Sequence, residues 1–580
     1  MNKSPQLSHP FAARLILAGF LVAGGASAVA EVPPLFRPDA GSLLNQTTPP
    51  AVVPTLPEST LPALSDEDLG KPVPEGARVK VSRFVLEGAS QFPPEQLQAQ
   101  LSDLVGQELG LSGLRQAAAR VTRFYREQGY FLARAYLPTQ DIANGVVRIA
   151  VLEGRYGSVD VGGSPRLEQQ HARGVLDAHQ VAADQPIERA SLERSLILLE
   201  QRSGAPVQAV MQPGATVGTS HMAIEAPGGP LFSGTLGADN YGNRFTGQGR
   251  GTASLALNSP FSIGDRANLW LAYSTGATAV FGSYQVPVGY DGLTLGAAAS
   301  YYRYELCCEY APLDRAGDAA VAGVQARFPL VLRQNAVHYA GFSLERKRLT
   351  DTWAGGDLDD KRVNVAVLSF DGISALAAGQ VRYRVALTGG DLQIKGPADY
   401  IKLNAATIDT AGGYGKLWGQ VEFLYPVTGW SFLNLRLSGQ GASRNLDSSE
   451  KFILGGFNGV RAYPEGEAAG DNAWLARLDW VLPITSAAVP GRAAVRAFVD
   501  SGAIWLVDNV RGGLASPGIE NHYSLSGAGL GFNWALPRGF ALSAYVATAI
   551  GDNPGASANG NNADGKSNDT RGWVGAEWAF

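Results

Sequence analysis

Eight consecutive residues late in this chain, Gly560-Asn561-Asn562-Ala563-Asp564-Gly565-Lys566-Ser567, fit the phosphate-cradle expression G-x-x-x-x-G-K-[ST]. A cradle of that kind works because a buried strand delivers the glycines and a helix then turns its N-terminus onto the phosphate. Here the flanks are the loop-like GDNPGASAN and an alternating, strand-like segment, so the motif reads as a Gly/Asn-rich loop and no nucleotide is expected. The six histidines, His9, His171, His179, His221, His338 and His522, form no ligand cluster and no H-E-x-x-H occurs, so no metal or other cofactor is expected either. No Ser-His-Asp set has nucleophile-elbow spacing, and nothing argues for an enzyme. Cys307 and Cys308 are adjacent, which reads as two thiols, with a strained vicinal bridge the alternative, and not as a disulfide framework.

The charged residues that promise more lie further apart. A Gly-rich stretch, Gly455 to Trp474, has Val460-Arg461-Ala462-Tyr463 at its centre, and about thirty residues later comes Ala497-Phe498-Val499-Asp500-Ser501-Gly502. The first stretch joins two segments that alternate apolar and polar residues, 431–440 and 474–482, and is too long for an ordinary hairpin turn. If it folds inward, Arg461 can reach an interior carboxylate, a pair worth on the order of 1–4 kcal/mol at contact.

The elements that would position such a pair follow from composition and pattern. With 580 residues several domains are expected; 71 glycines and only 17% charged residues suggest a turn-rich β protein. A net charge of -5 leaves no basic footprint for nucleic acid. Residues 1–30 have basic residues, an apolar run and a small-residue end, the pattern of a cleavable secretory signal. Residues 31–78 are a Pro-rich linker in which Asp39 to Gln46 is either two turns of helix behind an Asp cap or part of a disordered linker. Residues 79–154 predict the element order βααββ, and 155–228 repeat it: two small modules, each a three-stranded sheet under two helices with an edge free to accept a strand. From 231 to 580 helical periodicity stops and about sixteen alternating segments follow, with long connections on the outer side, 347–362 and 389–412 among them, and short ones on the other. Alternation sends Leu433, Leu435, Leu437, Trp474, Leu478, Trp480, Val495 and Val499 to one face. It sends Asn434, Arg436, Arg477, Asp479, Phe498 and Asp500 to the other.

VRAY followed by FVDSG resembles the VRGY/F and FxDxG motif pair of the outer-membrane polypeptide-transport superfamily, and within it the two-partner secretion (TpsB) transporters, such as those of filamentous haemagglutinin and haemolysin. The tandem modules look like the two POTRA modules of such a transporter, the 39–46 island resembles the start of its plug helix, and the terminal Phe580 resembles the targeting signal of outer-membrane barrels. The resemblance implies a 16-stranded antiparallel transmembrane β-barrel preceded by two α+β POTRA modules. It places the barrel in the outer membrane of a Gram-negative bacterium and the modules in the periplasm. It implies export of a large partner exoprotein (TpsA type), contact with outer-membrane lipid, and use of the barrel assembly machinery during biogenesis. Val460, Arg461, Ala462 and Tyr463 become the motif of an in-folded loop, 441–472; Phe498, Asp500 and Gly502 become the barrel motif; Arg461 and Asp500 become a latch between loop and wall. Ala462 stands where the family usually has glycine, so the tip would not freely adopt positive φ there. The alternatives are a factor that inserts other barrels and a passive porin.

Overall fold

The computed structural model describes residues 38–47, 49, 54–58, 78–354, 356–509 and 520–580; the expected signal segment, 1–30, lies outside them. From Phe232–Asp239 to Thr570–Ala579, sixteen antiparallel strands pair with their neighbours and close into a barrel. Period-two patterning decides which side each residue meets. Trp474, Leu478, Trp480, Val495, Val499 and Val574 stand exposed on the outside, while Arg477, Asp479, Phe498, Asp500 and Trp573 are buried in the bore. Closure joins the last strand to the first through five register pairs, Gly575↔Asp239 to Ala579↔Thr235. The joint is lengthened at both ends: Phe580 exchanges both backbone hydrogen bonds with Gly234, and the Asn240 side chain bonds Val574 N and Gly572 O as a strand residue would.

The strands Ala316–Arg333, Ala336–Trp353, Gly356–Leu376 and Gly379–Lys395 run 17 to 21 residues, well beyond the roughly 9–11 that cross a bilayer. Residues 347–362, which read in sequence as an outer loop, are the paired tip of one hairpin, with Lys347 opposite Val363 and Asp351 opposite Asp359. Segment 389–412 likewise continues as strand to Lys395 and then forms a helix, Ala398–Ala406. Past the apolar belt both faces of a strand meet polar surroundings, so the ladder continues after the alternation that advertises it has stopped.

Both small modules precede the barrel. In the first, Arg83–Glu87, Val146–Leu152 and Arg134–Tyr136 form the sheet, and Leu111–Glu127 buries Leu114, Ala117, Ala118, Val121 and Tyr125 against it. In the second, Arg155–Val161, Thr219–Glu225 and Gln208–Pro213 form the sheet, with helices Gln169–Ala178 and Arg189–Ser203. This second module is seated on barrel turns. Arg194 Nη2 donates to Asp291 O (2.7 Å) and Pro329 O (3.3 Å), Arg202 Nη2 to Gly289 O (2.6 Å), and Gln201 to the Tyr339 hydroxyl (2.7 Å). Those turns therefore mark the modules' side of the barrel, and the extended hairpins mark the opposite side.

Glu153 stands where the modules meet. Its carboxylate accepts from Ser90 N and Oγ (2.5 Å each), Gln91 N (2.8 Å) and the Tyr125 hydroxyl (2.9 Å). Burial opposes its ionisation, but the Ser90, Gln91 and Tyr125 donors outweigh burial and hold its pKa below the ordinary value. The stabilisation is therefore complete above the unfolded value of about 4.3 and is lost as pH falls through the depressed folded value. Glu153→Gln is expected to loosen this junction by about 1–3 kcal/mol at neutral pH. Faster exchange of the Ser90 and Gln91 amides in the full-length protein measures it, and the gap from the unsubstituted protein should shrink in acid.

Candidate functional site

Between the strands Ser431–Ala442 and Asn472–Ile484 the chain turns into the bore. Ions hold the base of this loop to the wall. Glu450 takes Lys347 Nζ at 2.6 Å and Lys416 Nζ at 2.7 Å, and Lys451 Nζ reaches Asp471 at 2.5 Å and Leu506 O at 2.7 Å. Burial raises the pKa of Glu450, yet the two ammonium groups overcome that and hold it at about 2. A short ladder, Phe452–Ile453 with Ala469–Gly470, then carries the chain to a tip in which Leu454, Val460 and Tyr463 are buried.

Arg461 lies at that tip, 2% exposed, and Asp500 is 0% exposed. The guanidinium forks onto Asp500, with Nε at 2.8 Å from Oδ2 and Nη2 at 2.6 Å from Oδ1; the backbone N of Arg461 adds a third bond to Oδ2 at 3.1 Å. Nη1 reaches a second carboxylate, Asp479 Oδ1, at 2.9 Å. The guanidinium carbon lies 3.5 Å from the centre of the Phe498 ring, and Trp573 Nε1 donates to the Arg461 carbonyl at 2.8 Å. Arg477 Nε is 3.6 Å from Asp500 Oδ1, so two arginines and two aspartates balance in one buried group. Such a group is stable only when its charges are paired and its donors used, and here the fork, the second carboxylate and the ring satisfy Arg461 on every side.

Shape matters as much as charge. Gly527, Gly529 and Gly531 recur at every second residue of the strand His522–Ala535 and therefore line the bore in a row. A Cβ at Gly527 would come within 2.6 Å of Ala462 Cβ; one at Gly529 would run into the Val546 carbonyl and the Phe498 ring; one at Gly531 would strike Tyr545. The stripe makes room for the tip and for the rings that flank Arg461. Ala462 is not among the positive-φ residues, so this tip needs no glycine at 462; the space for its methyl group comes from Gly527.

A second element shares the bore. Residues Ala40–Gln46 are helical behind a capping box in which Asp39 Oδ1 takes Ser42 N at 2.8 Å and Ser42 Oγ takes Asp39 N at 3.0 Å. Lys361 Nζ lies 3.4, 3.3 and 3.2 Å from Asp39, Asp359 and Asp447. Asp351 accepts from Ala40 N at 2.9 Å and from the Tyr304 hydroxyl. Ala40 and Leu43 pack into the same apolar cluster as Leu454, Val460 and Phe498. Beside the helix end lies a cavity of about 220 Å³, lined by Leu44, Trp270, Phe281, Tyr302 and Gln325 among others.

The remaining residues singled out in sequence fall elsewhere. Gly502 faces the loop, where a Cβ would meet Leu454 and the Trp474 carbonyl. Phe580 sits at the closing joint. Cys307 and Cys308 are joined in a vicinal disulfide and not present as two thiols. The Gly560–Ser567 segment lies between the last two strands, and its Ala563 N donates to Glu467 of the in-folded loop at 2.6 Å. Sequence reasoning put Asp479 in the bore without joining it to Arg461, and it passed over Trp573 as a partner and the alternating glycines of GAGLG. That glycine spacing was the available signal.

The family model described as haemolysin secretion/activation protein ShlB/FhaC/HecB matches residues 218–534, and the model of the ShlB-type POTRA domain matches 79–154. The heme/hemopexin transporter protein HuxB of Haemophilus influenzae is 25% identical over 461 residues, 78% of this chain and 80% of that protein. The outer membrane transporter CdiB of Dickeya dadantii is 22% identical over 409 residues, covering 68% of this chain and 71% of its own. Among solved structures, CdiB from Escherichia coli has the same fold, with a TM-score of 0.73 at 18% identity over 90% of this chain and 94% of that one. CdiB from Acinetobacter baumannii gives a TM-score of 0.64 at 17% identity over 91% and 95%.

Removing one partner from a buried, paired charge leaves the others uncompensated, typically about 3–5 kcal/mol. Arg461→Ala should therefore free the loop tip, and Asp500→Asn should weaken it more than Asp479→Asn, because Asp500 takes three of the four bonds. Hydrogen exchange over residues 455–470 in the full-length protein orders these variants. Gly529→Ala should lower the yield of heat-resistant, folded barrel, since its methyl group has only wall backbone and the Phe498 ring to displace.

Proposed function

The chain belongs to the haemolysin secretion/activation family of ShlB, FhaC and HecB, and we propose that three of its parts divide the work of export: the lumenal helix, the latched loop and the periplasmic modules. As a family member it is a two-partner secretion transporter of the outer membrane, moving a large exoprotein of the TpsA type through its barrel. The observation that carries the division of labour is what fills the bore. The 40–46 helix and the 443–471 loop occupy it together, so the resting barrel is closed. The helix is tied to wall and loop largely by ion pairs and hydrogen bonds, through Lys361, Asp351 and Ser448, which water can replace. It is the removable plug. The Arg461–Asp500 contact is the latch that keeps the loop on its wall while the plug yields.

The modules receive the cargo. Each module offers an edge strand with one unpaired ladder, Arg134–Tyr136 with its exposed Tyr136 in the first and Gln208–Pro213 with its exposed Val210 in the second, which suits addition of an unfolded segment as a further strand. The chain works without catalysis, nucleotide or metal of its own, and folding of the exoprotein outside gives the movement its direction. Phe580 is the residue that the barrel assembly machinery reads. A passive porin would need an unobstructed bore, and a factor that inserts other barrels would be expected to carry a longer array of modules.

Two experiments test these roles. Deleting 79–154 should abolish secretion of the exoprotein while the barrel still folds; unchanged secretion would remove the receiving role. A Cβ at Gly41 would lie against Ser448 Oγ, so Gly41→Cys with Ser448→Cys can form a disulfide that staples the helix in place. Secretion should stop when that pair is oxidised and return on reduction.

A further inference from the structure

The outer wall carries a feature that export does not use. On the hairpin of strands Ala336–Trp353 and Gly356–Leu376, outward-facing residues form successive rows across neighbouring strands. Moving away from the modules, the rows read Phe328, Ala340, Phe370, Val385; then Ala326, Phe342, Leu368, Leu387; then Val324, Leu344, Ala366. This is an apolar belt: Phe342, Leu344, Val324 and Leu387 are all exposed. The next row, about 7 Å higher along the strand, brings Arg346, and the row after it brings Arg348 directly opposite Arg362, with Tyr301 two strands away. Cationic side chains thus begin where the belt ends.

Their own protein neutralises them only in part. Asp360 serves both Arg348, at 3.4 Å, and Arg362, at 3.9 Å, and among the described residues Arg346 has no carboxylate within ion-pair distance. Like charges directly opposite on paired strands repel. Arg346 is exposed, the side chain of Arg348 is 60% exposed and that of Arg362 30%, so guanidinium nitrogens on the far side from Asp360 are available to a ligand. Arginine forks match phosphate oxygens two at a time. The modules' contact with the opposite turns places this patch at the outer leaflet, and Tyr301 is at the level where aromatic side chains sit between acyl chains and head groups.

We propose that Arg346, Arg348 and Arg362 form a binding site for the phosphorylated head group of an outer-leaflet glycolipid, whose acyl chains lie along Leu344, Phe342 and Leu368. This rests on the outer-membrane reading of the barrel. One lipid supplies both halves of the complementarity, anion above and hydrocarbon below, and the anion removes the Arg348–Arg362 repulsion. An acidic protein segment would meet only the upper half.

The test is retention of lipopolysaccharide by the full-length protein in detergent and in phosphatidylethanolamine vesicles containing bisphosphorylated or dephosphorylated lipid A. Bisphosphorylated lipid A should be retained at least about tenfold better than the dephosphorylated form, the loss expected for removing charge-assisted bonds. The triple variant Arg346→Gln/Arg348→Gln/Arg362→Gln should erase the preference, and the triple lysine variant should keep part of it. Equal retention of the two lipid forms by the unsubstituted protein would overturn the site without relying on any variant. So would a preference that survives the glutamine variant, displacement by millimolar inorganic phosphate, or loss of exoprotein binding with lipid retention unchanged. An intact preference with failed secretion would count against the export reading alone.

Discussion

A guanidinium buried inside a barrel brings its loop with it. Arg461 cannot return to water without breaking three bonds to Asp500 and one to Asp479, and none of the four groups in that cluster can leave without unbalancing the other three. Everything else in the bore is arranged around that fact. The ion pairs of Glu450 and Lys451 hold the base of the loop, the stripe Gly527-Gly529-Gly531 admits its tip, Phe498 lies against its guanidinium, and Trp573 bonds the Arg461 carbonyl. The barrel wall supplies both countercharge and shape, so the loop is a structural part of the wall and not a flap resting on it.

The two occupants of the bore are held by different physics. The loop has a covalent root at each end, buried apolar residues such as Leu454, Val460 and Tyr463, and a neutral charge cluster. The helix is seven residues long, too short to be stable by itself, and its docking concentrates three carboxylates, Asp39, Asp359 and Asp447, around the ammonium of Lys361. Carboxylate in excess makes this the weaker joint. A channel that must stay shut at rest and open for an unfolded chain gains from having one firm occupant and one that detaches.

Much of this could be read from the residues. Period-two alternation identified the strands, and on those whose faces were assigned it put Trp474, Leu478 and Val499 outside and Arg477, Asp479 and Asp500 inside, because where a strand crosses lipid one face must be apolar and the other need not be. The same rule failed at 347–362, where polar surroundings lie on both sides and residues such as Lys361 and Asp359 look like a loop although they are in register. Arg461 and Asp500 stood out through the resemblance of VRAY and FVDSG to a known motif pair. Asp479 was placed in the bore correctly, but its pairing depends on where a guanidinium points, which no spacing along one strand encodes. The helix at 40–46 has an Asp cap that was legible and a docking site contributed by residues more than three hundred positions away, which was not.

The closing joint has a bearing on how the molecule is made. Its five register pairs link strands separated by more than three hundred residues, whereas the other barrel ladders join strands that follow one another along the chain, apart from the one interrupted by the in-folded loop. Local hairpins can zip early, but this joint closes the longest loop in the domain and must await the final strand. Until then the growing sheet has two raw edges of unpaired backbone, and the paired ends of Phe580 and Asn240 are what finally hide them.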